Sequence, residues 1–329
     1  MQALSILALV AAVATLGAAP APATSPWAPT GPSPWSSPPP AGSVTVGGVV
    51  VTKKFPGPAM WRITKGDAQV IILGGLTPLP HMLVWDTARV EHALQGADAL
   101  YLPPRPTIGA MGLFRLALDK GALQLPRGQT LETVLPPNEK KRFAALMVTI
   151  HAKASTYDRW KPAVAGLFLV QDFRKAAGLS DGKPGTTVMH MAEDEHVPVQ
   201  YVGELRLDKY VDTAAHLTPQ QNLACFDAAL DDIDREAAHT PSVSKAWAVG
   251  DLKTVGENYK TSLLEGCLSR IPSIAGLLDR GAADGVTTIQ TALLKPGKSV
   301  AVIDLNFLLR PNGVLDRLKA QGAQISVPD

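Results

Sequence analysis

Residues 70–85 read VIILGGLTPLPHMLVW. Val70, Ile71, Ile72 and Leu73 form an unbroken apolar run, the pattern of a strand buried in a sheet. Gly74 and Gly75 end the run, and Pro78 and Pro80 bound the turn that follows. Many proteins carry a reactive group out of a sheet on such a turn. Here the residue at its tip is Thr77. A threonine hydroxyl is a weak ligand for a metal and, with no base beside it in sequence, a weak nucleophile.

The neighbouring segments extend this strand into a fold. Upstream, MWRIT (60–64), a Lys-Gly-Asp turn and residues 68–74 predict a β-hairpin. Residues 43–55, SVTVGGVVVTKKF, add a strand or an edge hairpin. Downstream, residues 86–96 place Val90, Ala93 and Leu94 at helical spacing with charges opposite. ADALYLP (97–103) is a second buried strand, stopped by Pro103 and Pro104. Strand, strand, helix, strand is the opening of an α/β sheet.

The middle of the chain is mostly helical. Helices are expected at 112–121, from about Pro137 onward, over the apolar stretch 161–179, and just before a strand at 197–202. Residues 219–267 hold two or three helices, one of them expected over 242–268. The end repeats the opening logic: a helix at 285–294, the strand SVAVIDL (299–305), the helix GVLDRLKAQG (313–322) and a last strand AQISV (323–327). The fold class is therefore α/β, a central mixed β-sheet flanked by helices, with an inserted helical portion. No tandem repeat of fixed period is present.

Length and composition bound the rest. A chain of 329 residues, 46% hydrophobic and 18% charged, buries a sizeable core. The net charge is +2, and no basic cluster is interleaved with aromatics, which argues against nucleic acid as a partner. Residues 4–19 have the length and small-residue content of a signal-peptide core, although no Lys or Arg precedes them. Ala21-Pro22-Ala23 supplies the cleavage site, so residues 1–23 read as a signal peptide. Residues 24–42, rich in Pro, Ser, Ala and Gly, read as a disordered tether, and residues 43–329 as the folded domain. A periplasmic or secreted location follows, with membrane attachment only through an uncleaved anchor. The two cysteines, Cys225 and Cys267, both fall in helical segments; an even count in an exported chain predicts one disulfide.

In order and motifs, residues 57–328 resemble the TraB/GumN family, which is related to the Tiki metalloproteases. PAMWRITKGDAQVIILGGLTPLP is similar to its opening hairpin, normally ended by Gly-x-x-His. ADALYLP is similar to the next strand, which normally ends in glutamate. HVPVQYVGEL resembles its middle strand, AWAVGDL a helix segment of the bacterial members, and KSVAVIDLNFLLRPNGVLDRLKAQGAQI the terminal strand, loop and helix with a second Gly-x-x-His. The resemblance implies a metal-dependent hydrolytic site made of two histidines and the glutamate, with a divalent metal that activates water. Glycine before each histidine would let the strand end turn sharply. GumN-like members are also associated with envelope polysaccharide.

Carried over residue by residue, that site is missing its ligands. Thr77 stands at the first histidine, Pro103 at the glutamate and Asn306 at the second histidine, with Ile303 at the second glycine. Glu204 keeps the acidic place of the middle strand, and Arg280 the arginine of an Arg-Asn pair. A hydroxyl and a carboxamide are weak ligands for such metals, and proline is none. His81 and Asp304 lie near the lost positions, but strand alternation sends Asp304 to the face opposite Ile303 and Leu305.

Other motifs give way to structural readings. HMAEDEH (190–196) matches neither H-E-x-x-H nor H-x-x-E-H and reads as a solvated helix end. GLSDG (178–182) matches G-x-S-x-G by letter, but a helix precedes it where a nucleophile elbow needs a strand. Trp61, Trp85, Trp160 and Trp247 sit in apolar-patterned segments and read as core. Asp227, Asp231, Asp232 and Asp234 read as a solvated helix face. No dinucleotide fingerprint or P-loop occurs.

The expected function is that of a degenerate family member, a pseudoenzyme with no cofactor, binding an envelope protein, peptide or glycan in the old cleft. The alternative is a metal-dependent hydrolase or peptidase rebuilt from Thr77, His81, Glu204, Asp304 and Asn306, the one case that calls for a divalent metal. A purely structural envelope protein is the third reading.

Overall fold

The computed structural model describes residues 44–46, 49–51, 57–107, 109, 120–206, 212–260, 262–269 and 277–327. The expected signal peptide, the tether and nearly all of the helix expected at 112–121 lie outside the described residues.

A six-stranded mixed sheet forms the centre. Its strands in chain order are β1 (Met60–Lys65), β2 (Ala68–Gly75), β3 (Ala99–Leu102), β4 (Val199–Tyr201), β5 (Gly297–Asp304) and β6 (Gln324–Ser326). Their spatial order is β6-β1-β2-β5-β3-β4. β1 pairs antiparallel with both β2 and β6, whereas β2, β5, β3 and β4 run parallel. The β1-β2 hairpin turns at Gly66, whose φ of 57° is a left-handed conformation suited to glycine. Val44–Val46 and Val49–Val51 form a separate two-stranded hairpin, as expected.

Among the described residues, the helices of five residues or more are α1 (Ala88–Leu94), α2 (Pro137–Thr149), α3 (Pro162–Ala176), α4 (Gly185–Asp194), α5 (Pro219–Ala248), α6 (Leu252–Asn258), α7 (Leu263–Ser269), α8 (Leu277–Ala292), α9 (Leu305–Leu309) and α10 (Val314–Ala320). The single helix expected over 242–268 is instead the end of α5, all of α6 and most of α7. Gly250, at φ 71°, marks the first break, and the Asp251 side chain then caps α6 through the Thr254 amide. The helix expected at 285–294 extends back to Leu277.

β2 reads as continuous apolar sequence because both of its faces are covered. Ile71 and Leu73 pack with Val90, Leu94, Val188 and Val302 beneath α1 and α4. Val70 and Ile72 pack with Trp61, Trp247, Ile289 and Leu315 on the face that α5, α8, α9 and α10 cover. Each such side chain, fully buried, contributes about 1.5–3 kcal/mol.

A third cluster is built mainly from helices: Phe143 of α2, Phe173 of α3, Phe226 and Ile233 of α5, and Leu264 of α7. The expected disulfide falls here, Cys225 with Cys267 at a Cα separation of 5.5 Å, tying α5 to α7. α3 crosses α5 closely at Gly166, where a Cβ would lie 2.8 Å from that of Ala229.

α5 runs through two of these cores. Thr218 caps it in a reciprocal pair with Gln221, and Pro219 follows at its first turn. Its first half carries Cys225, Phe226 and Ile233 into the helical core; its last carries Val243, Ala246 and Trp247 into the sheet core.

Candidate functional site

In an open parallel sheet, ligands bind outside the carboxyl ends of the strands. Here those ends are Gly75, Asp304, Leu102 and Tyr201, and all four line one open cavity of about 910 Å³. Leu76, Thr77 and Pro78 wall it from β2, Pro103 to Arg105 from β3, and Asn306 and Phe307 from α9. The helical portion closes the other side through Arg174, Arg235, Glu236 and His239, with Tyr259 and Lys260 beyond α6.

The double glycine is here for space. Neither Gly74 nor Gly75 has a left-handed backbone, so the sharp turn expected of them is not what requires glycine. A Cβ on Gly74 would lie 2.5 Å from Leu305 Cδ2 and 2.8 Å from Trp61 Cζ3. The same residue's carbonyl accepts a buried hydrogen bond of 2.7 Å from Trp247 Nε1, which fixes the strand end to α5.

Asp304 is the last residue of β5 and the N-cap of α9: its Oδ1 accepts from the Asn306 amide at 2.8 Å. Alternation holds as far as Ile303, which faces the sheet core with Leu305. Asp304 points the other way, and that way lies the cavity. The Tyr259 hydroxyl sits 2.7 Å from Asp304 Oδ2 and 3.2 Å from the Thr77 carbonyl. It has one proton, and the nearer, charged acceptor takes it. Burial pushes the Asp304 carboxyl up to about 6; the bonds from Tyr259, the Asn306 amide and Thr77 hold it from going higher. Burial, and then the Asp304 charge, push the Tyr259 phenol well above its usual range, so it stays a donor.

The structure therefore gathers Thr77, Pro103, Asp304 and Asn306 around one cavity. It does not bring His81, Glu204 or Arg280 to that wall. His81 is exposed beyond the turn, where its amide donates to the Gly178 carbonyl. Glu204 is exposed after the left-handed Gly203, and Arg280 is exposed on α8. Among the described residues, no group of three or more His, Cys, Asp or Glu is placed to hold a metal. The donor set at the expected positions, one hydroxyl and one carboxamide beside a carboxylate already engaged by Tyr259, the Asn306 amide and Thr77, does not fit the divalent metal that the resemblance implies.

Tyr259 and His239 escape sequence reasoning because neither belongs to a motif. One follows α6 and the other sits mid-α5, and only the packing of the helices brings them to the strand ends. Asp232 corrects the aspartate reading. Its neighbours Asp227, Asp231 and Asp234 do face solvent, where Arg142 joins each at 2.7 Å. Asp232 itself is buried and caps α7, accepting from Ser262 Oγ, the Leu263 and Leu264 amides, and Arg235. The structure gives Gly178 as the left-handed stop after α3, and both histidines are exposed, His190 within α4 and His196 just past its end. Trp61 and Trp247 are buried, with Trp85 and Trp160 packed against the cores.

The architecture is a mixed sheet with a cavity at its parallel strand ends and a helical portion across it. Residues 59–327 match the TraB/PrgY/gumN family, and the chain belongs to that family. No curated protein and no solved structure matches it. Among the described residues, no helix is long and apolar enough to cross a membrane.

Proposed function

We propose that this chain is an exported, non-catalytic member of its family whose cleft binds an envelope peptide, glycan or protein partner. One observation carries the reading: the three positions expected to hold metal converge on one cavity, yet carry a hydroxyl, a proline ring and a carboxamide. A disulfide across two helices suits an oxidising compartment, in keeping with export.

The test is the metal content of the full-length chain after dialysis against zinc, manganese, calcium and magnesium. The expected result is no metal above that of a heat-unfolded control. Stoichiometric metal that Asp304→Asn abolishes and the remote Arg142→Ala keeps would overturn the reading.

The rebuilt-hydrolase reading has one observation in its favour. A carboxyl near pKa 6 beside a hydroxyl is poised for proton transfer at neutral pH. Its signature is turnover of a fluorogenic peptide library that rises through pH 6 and disappears in Asp304→Asn.

A further inference from the structure

The charges around the cavity do not balance. Arg174 donates to Glu236, with Nε 2.9 Å from Oε2, and to Asp181 at 2.7 Å, so those two lining carboxylates are used. Arg235 is held by Asp232. Asp304, the remaining lining carboxylate, is held by Tyr259 and the Asn306 amide. Three lining cations are left. Arg105 is exposed and lies 4.1 Å over the Tyr201 ring. Lys183 donates to the His81 carbonyl, and Lys260 to the Gly256 carbonyl at 2.7 Å. Among the described residues, none of the three has a carboxylate partner within 4 Å. Each ammonium has three donors and each guanidinium five, so most of their hydrogen-bonding capacity is still open.

Several residues of the wall offer no backbone donor. Pro78, Pro103, Pro104 and Pro184 all line the cavity, and each lacks an N–H. The wall is made of strand ends rather than a strand edge, so a peptide cannot add to the sheet there. Recognition is left to side chains, and the uncommitted side-chain charge is positive.

We infer that the cavity takes a ligand bearing two or more oxyanion groups, carboxylate or phosphate, held by Arg105, Lys183 and Lys260. This assignment rests on the binding-cleft reading and names the ligand chemistry within it. The experiment is calorimetric titration of the full-length chain at pH 7 with trigalacturonate, inorganic tripolyphosphate and neutral maltotriose. Saturable 1:1 binding of either anion, with none of maltotriose, is the expected result, and which anion binds tells carboxylate from phosphate. Affinity should fall roughly fivefold for Arg105→Ala and again for Lys260→Ala, and more for Lys260→Glu. It should also weaken as salt is raised, because Arg105 and Lys260 are exposed and Lys183 is half-buried. Thermal melts that match the wild type show that the variants are folded. Equal binding of maltotriose, no binding of either anion, or anion binding indifferent to all three substitutions overturns the assignment. Metal found by dialysis would overturn the non-catalytic reading whichever ligand binds; a metal-free chain that ignores both anions would overturn only the ligand class.

Discussion

Around the central sheet the buried residues are mostly apolar, Trp61, Ile63, Ile72, Leu73 and Val300 among them. The helical portion is laced together differently. Its apolar cluster is bounded by a disulfide, by Arg142 on three aspartates, by Arg174 on Glu236 and Asp181, and by the buried Asp232 cap. The sheet is a frame held mainly by packing. The helices are held by specific bonds in addition to their packing. The cavity lies where the two meet, and takes residues from both.

Substitutions should separate the two regions. Replacing Cys225 and Cys267 together with alanine is expected to have the largest effect. The loop spans 42 residues, and loop-closure entropy puts the loss at about 4 kcal/mol. Hydrogen exchange should speed up across α5 and α7 while β2 and β5 stay protected; uniform loosening would erase the distinction. Asp232→Ala should cost about 3 kcal/mol in denaturant melts, since it removes the buried carboxylate that pairs with Arg235 and caps two α7 amides. Gly74→Ala is the complementary break in the frame. Its methyl meets Leu305 and Trp61, and about 2 kcal/mol should be lost, with exchange rising first in β2.

The smallest effect sharpens the boundary itself. Asp304 is raised to about 6, above its unfolded value, so the native state holds more protons than the unfolded chain between about pH 4 and pH 6. Stability should therefore fall as pH rises through that window, by about 1 kcal/mol after allowance for solvent screening of a partly exposed group. Asp304→Asn should flatten that slope in melts across pH 4–7. An unchanged slope would place the titration elsewhere.

Much of the frame was legible because strands buried on both faces leave continuous apolar runs, and glycine and proline mark where they stop. The position of β5 between β2 and β3 was not legible, because it is set by pairing across some 200 residues. Nor was the extent of α5. Pro241 inside it reads as a break, yet packing on both sides carries the helix past it. At the site, Thr77, Pro103 and Asn306 could be aligned by motif. Asp304 was legible as a candidate, and strand alternation gives its face, but not that the cavity lies on that face. Tyr259, Asp304's partner, stands outside any repeating pattern and is placed only by the fold.

α5 has a mechanical consequence. Thirty residues make a rod about 45 Å long. One end is riveted at Cys225 and the other is wedged beside Gly74 through Trp247, with Glu236 and His239 at mid-span over the cavity. A beam clamped at both ends bends far less than a cantilever. The disulfide touches no ligand, but it sets how firmly the cavity's far wall stands.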